Sequence, residues 1–213
     1  MKENNYSPCD YVMRATDNKP KPLEREMFES LLQDFGMEFN VQKVREHKPD
    51  SERYKRLLPA VTWQAHFDDH LRTDKNAVPS GLFCLDVDYQ HSAHFADLCK
   101  AESPEAAWAW AEKHARTRAE AWAQMQREQD ADHDNGPDLN IVGIHVSPQG
   151  AGVHVIACCN EKCKSIAENQ ARLAQLLETE YDEVCKDWAR IWFLCPQSDW
   201  TYLDMDALFQ QEQ

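Results

Sequence analysis

The sequence of 213 residues lacks a long apolar run, a hydrophobic leader and an excess of basic residues. No stretch of about 18 apolar residues is present, which excludes a membrane-spanning helix as the basis of the fold. The first 22 residues are polar and contain no signal-peptide hydrophobic segment, so we expect an intracellular, cytoplasmic protein with no membrane partner. In that compartment the eight cysteines are expected to be reduced thiols rather than a disulfide framework.

The formal net charge of −14 is unevenly distributed. Residues 1–56 carry eleven basic and eleven acidic side chains, so the whole acidic excess lies from residue 57 onward. A protein that coats DNA with a broad basic face normally has the opposite sign. The charge argues against such a protein, but it leaves open a small nucleotide site built around metal ions, and also an acidic protein that mimics DNA.

Periodicity and capping signals predict helices interspersed with strands. Leu23, Met27, Leu31 and Phe35 recur at near-helical spacing, and Gly36 is predicted to stop that helix. Further helices are predicted over 51–58, about 104–129, 164–178 and a short stretch from 205. Strands are predicted for 61–63, "GLFCLDVD", "NIVGIHV", "GVHVIACC", "IWFLC" and "WTYL".

This order of elements predicts a single α/β or α+β domain, and we favour the α+β class. Residues 1–50 are expected to form an N-terminal arm and helix that pack on the core as a helical extension. Residues 51–213 are expected to form one compact unit, into which the long helix at about 104–129 is inserted.

Two aspartates, Asp86 and Asp88, stand one residue apart at the end of an apolar run. Alternation along a strand sends residues i and i+2 to one face, so both carboxylates are expected to point the same way. Such a pair is costly to bury unless a cation lies between the two groups, and Mg²⁺ or Mn²⁺ prefers hard oxygen ligands of this kind. The alternative is a pair of solvated acids at a strand end.

Two later segments carry polar groups of the same character. In "VSPQGAGVHV", small and turn-forming residues allow backbone amides to approach a phosphate, and His154 follows on a strand, facing opposite to its valine neighbours. In "YDEVCKDWAR", Asp182, Asp187 and Arg190 precede an aromatic strand, where an acid can ligate metal and the arginine can bind phosphate. Taken separately, a structural histidine after an ordinary hairpin is the better explanation of the first segment, and a solvated helix face explains the second well.

Several other patterns are weaker. The acidic segment 130–138 imitates a calcium loop, but its glycine lies one position too late and Ile141 stands where a glutamate is needed. The pairs His66/His70 and His91/His94 and the trio Cys158, Cys159 and Cys163 lack the further ligands of a metal site. Three tryptophans, Trp108, Trp110 and Trp122, are expected to pack in the interior, with stacking on nucleic-acid bases as the alternative.

In combination, the three segments stand in the order found in one known group of enzymes. An Asp-x-Asp strand, a small-residue turn leading to a strand histidine, and an acid before another strand resemble the catalytic core of the archaeo-eukaryotic primase superfamily, the primase-polymerases. More closely, residues 55–209 resemble the VirE N-terminal, primase-like family of Bacteroidetes mobile elements and phages. The matching pieces are "LLPAVTW", "SGLFCLDVD", "IVGIHVSPQGAGVHV", "ENQARLAQLL", "YDEVCKDWAR" and "YLDMDALF".

The resemblance implies a fold and a set of roles. The fold would be primase-polymerase-like, with a central mixed or antiparallel, RRM-like sheet flanked by helices. Catalytic Mg²⁺ or Mn²⁺ would be bound by Asp86, Asp88 and Asp182, with Asp187 as the reserve third ligand. His154 would contact the phosphates of the incoming nucleotide, and Ser147 would support the turn. Nucleotide-binding residues would be Ser147, Gly150, Gly152, His154 and Arg190.

The function implied is that of a metal-dependent DNA primase or primase-polymerase of a mobile element or phage. Its partners would be nucleoside triphosphates, a single-stranded DNA template and a separate helicase or replication protein. Two departures from the family are evident: Gln149 replaces a serine and Ala151 a lysine in the turn, and the long Trp/Ala-rich helix is an insertion, for which a docking surface is the expected role. The lost lysine favours a second hypothesis, a catalytically quiet module that binds single-stranded nucleic acid or a replication or defence protein. The acidic DNA mimic is the third.

Overall fold

The computed structural model describes residues 7–48, 50–68, 70–131 and 138–209. The helices in these ranges are α1 (Arg25–Leu32), α2 (Phe35–Glu46), α3 (Glu52–Lys55), α4 (Ala93–Ala101), α5 (Pro104–Ala131), α6 (Ile166–Leu176) and α7 (Met205–Phe209). The strands are β1 (Asp10–Val12), β2 (Lys21–Pro22), β3 (Ala60–Thr62), β4 (Ala65–His66), β5 (Val78–Pro79), β6 (Leu82–Asp88), β7 (Ile141–Val146), β8 (Gly152–Cys158), β9 (Trp192–Phe193) and β10 (Trp200–Leu203). The described residues therefore form a mixed α+β fold.

The central sheet has the strand order β10-β7-β8-β6, and its pairings are antiparallel. One face of the sheet, which includes Leu85 and Val155, packs against α5 and α6 in an apolar core. The other face, which includes Cys84 and Ile156, packs in a second core with the N-terminal segment. Because both faces are covered, these strands read as nearly continuous apolar runs rather than as alternating ones.

A second sheet, with the order β2-β1-β3-β9, joins distant parts of the chain. Strands β1 and β2 come from the N-terminal segment and pair through β3 with β9, near residue 192. A further two-stranded sheet is formed by β4 and β5. The N-terminal segment is thus more than the arm and helix expected from the sequence, since it supplies two strands to a shared sheet.

The prediction that Gly36 stops the first helix is wrong. The side chain of Asp34 accepts a hydrogen bond from the Gly36 amide, and this N-cap starts α2 there. The apolar face of the segment also differs from the predicted one. Phe35 is exposed and Met27 partly so, whereas Phe28 is completely buried.

The long helix predicted over about 104–129 is present as α5. The hydroxyl of Ser103 accepts a hydrogen bond from the Ala106 amide, as expected of an N-cap. Buried alanines recur every four residues along one face, at positions 107, 111, 115 and 119. Such small side chains let the helix lie close to the sheet. The acidic segment that follows α5 falls largely on residues 132–137, outside the described residues.

None of the described helices combines the length and the apolar character that a bilayer crossing requires.

Candidate active site

Three polar side chains lie in a row across the central sheet. Asp86 on β6 is the register partner of His154 on β8, and His154 is the register partner of His145 on β7. Directly paired residues project to the same face of an antiparallel sheet. The atoms His154 Nε2 and Asp86 Oδ1 are 3.6 Å apart, and the rings of His154 and His145 meet edge to face with centroids 4.8 Å apart.

This row opens into a cleft of about 200 Å³ between the central sheet and the second sheet, which we call the central cleft. Asp86, Asp88, His154, Ser147 and Arg190, which are separated by up to about a hundred residues in the sequence, all line it. The remaining lining residues are Lys55, Pro148, Gln149, Cys185, Ile191, Trp192 and Phe193. The central cleft therefore brings together most of the residues that the sequence nominates.

Asp182 lies beside the cleft rather than in its lining. Its amide donates a 2.8 Å hydrogen bond to the Asp86 carbonyl, which attaches the 181–190 segment to the edge strand β6. Its carboxylate and that of Asp86 are both near one thiol, since Cys185 Sγ is 3.3 Å from Asp182 Oδ2 and 3.5 Å from Asp86 Oδ2. Ligand atoms of Asp86, Asp182 and Cys185 all lie within 4.8 Å of one another, a spacing compatible with one metal ion.

The two strand aspartates differ in their surroundings. Burial raises the pKa of Asp86 to about 6; the Cys185 thiol opposes this shift, and the charge of Asp182 adds to it. Burial and the charge of Asp86 also raise the pKa of Asp88. The Asp88 carboxylate accepts hydrogen bonds from the amide and the side chain of Gln90, at 3.2 and 2.7 Å. Asp86 is thus the carboxylate that a bound cation would stabilise most.

The two histidines are neutral at physiological pH. Burial lowers the pKa of His154 to about 3, and the nearby charge of Lys55 acts in the same direction. Burial lowers the pKa of His145 to about 3 as well. The approach of His154 to Asp86 is therefore a contact of a neutral ring with a carboxylate, and His154 can serve a ligand as a hydrogen-bond donor but not as a cation.

The turn between β7 and β8 depends on its glycines for its shape. Gly150 has φ of +82°, a region that favours glycine, and its amide donates to the Ser147 carbonyl. A Cβ on Gly152 would lie 2.7 Å from the Val87 carbonyl oxygen, so only glycine allows β8 to approach β6 here. Neither glycine is among the residues that line the central cleft. Their contribution to the site is the placement of Ser147 and His154.

One cationic side chain of the cleft comes from α3, a helix that the sequence does not connect with the site. Lys55, the last residue of α3, lines the central cleft, and its charge lowers the pKa values of both Asp86 and His154. Helix α3 is tied to the turn, because Gln149 Nε2 donates a 3.1 Å hydrogen bond to the buried Ser51 hydroxyl at the start of the helix. Ala151 in the turn is buried and carries no charge. The cleft thus has a lysine, but one that comes from α3.

The segment 181–190 forms turns rather than a helix. Arg190 lines the central cleft while its Nη2 donates to the Val184 carbonyl at 3.0 Å, and the same atom lies 3.4 Å from the Asp187 carboxylate. Asp187 does not line the central cleft, and it borders a separate surface depression with Arg72 and Asp74. Of the two candidate third acids, Asp182 is the one placed next to Asp86.

Two buried nitrogens in the lining have no hydrogen-bond partner among the described residues, His154 Nδ1 and Trp192 Nε1. Both side chains are more than nine-tenths buried. A buried polar group without a partner costs free energy, and a polar ligand would satisfy it. Both atoms have almost no solvent-accessible surface, so a ligand in the cleft would reach them only if neighbouring side chains moved.

The sequence did not indicate three members of this site, namely Lys55, Cys185 and Trp192. The basic character of 51–58 was visible, but no spacing rule connects position 55 with position 86. Comparison of the chain with models of known families, with curated proteins and with solved structures finds no match.

Proposed function

We propose that the protein is a metal-dependent nucleotidyltransferase of the primase or primase-polymerase type, acting for a mobile element or phage. The observation that supports this proposal best is the composition of the central cleft. The carboxylates of Asp86 and Asp88 line the same cleft, of about 200 Å³, as the cationic side chains of Lys55 and Arg190. A site that binds metal ions and phosphates together needs both charges on one surface.

The residues present fit a divalent cation. Asp86 and Asp182 supply hard oxygen ligands near each other, and Asp88 lies two residues farther along β6. The raised pKa of Asp86 reflects a partly buried carboxylate that a positive charge would stabilise. Cys185 adds a softer sulfur ligand, which favours Mn²⁺ over Mg²⁺ in this set. When bound, such ions would neutralise phosphate charge and lower the pKa of an attacking hydroxyl.

The chain's own residues would then bind and orient the nucleotide. Lys55 and Arg190 would hold phosphate oxygens, Arg190 with its planar fork and Lys55 as a point charge. Trp192 Nε1 is a hydrogen-bond donor without a partner, whereas His154 Nδ1 is an acceptor when the neutral ring keeps its proton on Nε2, which faces Asp86. Little covalent chemistry is required of the protein in phosphoryl transfer, so positioning and electrostatic stabilisation carry most of the rate enhancement.

A second candidate function is a catalytically quiet primase-like module that binds single-stranded nucleic acid or a partner protein. One observation favours it: Ala151, where the resemblance to the primase-like family leads one to expect a lysine, is buried and apolar. Saturable, metal-dependent nucleotide binding would argue against this candidate. No feature of the described residues specifically favours the acidic DNA mimic, because a mimic does not require a cleft at Asp86.

The test is strand synthesis on a single-stranded DNA template, with Mn²⁺ or Mg²⁺ and labelled nucleoside triphosphates. The double variant Asp86→Ala/Asp88→Ala should reduce product at least about a hundredfold, the scale of a lost metal or transition-state contact. The matched control is Asp97→Ala, which removes an exposed acid on α4 whose partner is Lys100. Undiminished product in the double variant would overturn the proposal. Absence of product from the wild type, together with absence of metal-dependent nucleotide binding, would favour the quiet module.

A further inference from the structure

A larger cavity, of about 720 Å³, lies on the other side of the acid cluster, and we call it the aromatic cavity. It shares Asp88 with the central cleft and has Asp182 in its lining. Its other walls come from α4, α5 and the 178–184 segment. The two spaces therefore meet at the carboxylates that would hold metal.

One wall of the aromatic cavity is a cluster of rings. Trp110 and His114 on α5 are stacked, with centroids 5.1 Å apart and planes inclined by 16°. Tyr89 meets His114 edge to face at 4.6 Å, and His94 meets Trp110 at 4.5 Å. These tryptophan and histidine rings are only partly buried or exposed, unlike Trp122 farther along the helix, which is enclosed in the core. Flat aromatic walls of this kind pack well against nucleobases.

The opposite wall is acidic. Glu178, Glu180, Asp182 and Glu183 line it in one short segment, together with Asp88. Arg118 also lines the cavity, but its guanidinium donates hydrogen bonds to the Leu177 and Glu178 carbonyls. The acidic oxygens repel phosphate, and they accept hydrogen bonds from ribose hydroxyls and from the amino groups of bases. The central cleft has the opposite preference, because it presents Lys55 and Arg190. Each space thus suits a different half of a nucleotide.

The volumes support the same division. Pockets that enclose whole drug-sized ligands are typically about 300–1,000 Å³. The central cleft, at about 200 Å³, is below that range, whereas the aromatic cavity, at about 720 Å³, is within it.

We propose that the aromatic cavity binds the nucleoside half of a nucleotide whose phosphates occupy the central cleft, with the scissile phosphate near the shared acids. This inference rests on the proposed function and assigns the base and sugar to the wall formed by Tyr89, His94, Trp110 and His114. It also gives the long inserted helix a role, because α5 carries two of these rings.

The test compares binding of dATP with binding of tripolyphosphate, both in Mn²⁺, by isothermal titration. Trp110→Leu should weaken dATP binding about tenfold, the usual effect of losing a base-aromatic contact, and change tripolyphosphate binding less than about twofold. The matched control is Trp108→Leu, two positions away on α5, whose ring packs on Phe95 and does not line the cavity. This control should leave both affinities unchanged.

A second pair of variants tests the phosphate half. Lys55→Met should weaken both ligands about tenfold, since it removes a charge-assisted contact with phosphate. Arg56→Met, at the neighbouring exposed position whose partner is Glu52, should weaken neither. If Trp110→Leu does not fold, His94→Ala, an exposed ring on the same wall, replaces it.

Three results would overturn the inference. These are equal weakening of both ligands by Trp110→Leu, no effect of that variant on dATP, or wild-type binding of dATP that is no tighter than that of tripolyphosphate. In each case metal-dependent phosphate binding could persist, so the proposed function would stand. Failure of the wild-type protein to bind either ligand would instead contradict the proposed function itself.

Discussion

The electrostatic balance around one side chain, Asp86, determines what the site does without a ligand. Its carboxylate is largely removed from water, lies near Asp182, and receives only partial compensation from the Cys185 thiol, Arg190 and Lys55. Burial and the charge of Asp86 also raise the pKa of Cys185, so the thiol keeps its proton. Ionised Asp86 is therefore a source of instability in the ligand-free protein.

This imbalance gives a pH-dependent prediction for Asp86→Asn. Because the pKa of Asp86 is raised to about 6 in the folded protein, its ionisation opposes folding, and the wild type should lose stability as pH rises from about 4 through 6. The amide carries no charge at any pH. The variant should match the wild type near pH 4 and exceed it by about 2–3 kcal/mol at pH 8. Urea unfolding without divalent ions, at several pH values, measures the difference.

Adding Mn²⁺ extends this experiment. The ion should stabilise the wild type at pH 8 and have a much smaller effect on Asp86→Asn, because the variant lacks the ligand charge. Asp97→Asn, an exposed acid on α4, is the control and should follow the wild type at each pH. A stability difference between Asp86→Asn and wild type that does not vary with pH would show that Asp86 is not a destabilising buried charge.

Residue-scale features of the site were predictable where they follow from strand alternation. The common direction of Asp86 and Asp88 and the position of His154 opposite its valine neighbours follow from the two-residue period of a strand. The presence of Lys55 and Cys185 in the site does not follow from this period, because tertiary packing brings each of them in from a separate part of the chain. Gln149 shows what the sequence alone does not reveal. In the sequence it is only a residue that differs from the serine expected in the turn, whereas in the structure its side chain donates a hydrogen bond to Ser51 at the start of α3.

At the scale of elements, a buried carboxylate joins three parts of the fold around the site. Asp199, almost completely buried, pairs with Arg45 from α2 at 2.8 Å and with Arg116 from α5 at 3.2 Å. The Arg45 Nε also donates to the Pro148 carbonyl in the turn before β8, at 3.2 Å. The position of the turn in the cleft thus depends on a charge network outside the cleft.

Asp199→Ala should lower the free energy of unfolding by about 3 kcal/mol. Removing one partner of a buried ion pair leaves the other charges uncompensated, although both arginines here reach solvent and can recover part of the loss. Asp206→Ala, which breaks the exposed pair with Arg25, is the matched control and should cost less than about 1 kcal/mol. Chemical denaturation measures both. Equal, small losses in the two variants would mean that Asp199 does not join these elements.

The sequence predicted β6, β7, β8 and α5, and it missed the shortest strands and also two helices, α2 and α4. Strands β6, β7 and β8 are indicated by their apolar runs and helix α5 by its N-cap and its helix-forming residues. They form most of the central sheet and part of the helical layer that packs on it. Strands β1 and β2 have only three and two residues, too few for any period to be seen. Helix α2 is not predictable from Gly36, because glycine commonly ends a helix, whereas here the side chain of Asp34 supplies the N-cap that starts a new one.

For the molecule as a whole, the N-terminal segment is built into the core. Phe28 on α1 is completely buried, and its ring contacts Trp63, Trp200 and Phe209 at centroid distances of 6.0, 5.7 and 5.9 Å. These partners come from the middle and the end of the described chain. The same core contains residues on the face of the central sheet opposite to α5 and α6, such as Cys84 and Ile156. The segment 1–50 and the rest of the chain are therefore expected to fold together.

Phe28→Ala tests this coupling. It should cost about 3–5 kcal/mol, the usual loss for truncating a buried phenylalanine, and the whole chain should still unfold in one transition at lower denaturant. Phe35→Ala, on the same segment but with an exposed ring, should cost little. If Phe28→Ala instead produced an early transition confined to the N-terminal segment, the segment would be a separate unit. The pairing of β3 with β9, and with it the wall of the central cleft that carries Trp192, would then persist without β1 and β2.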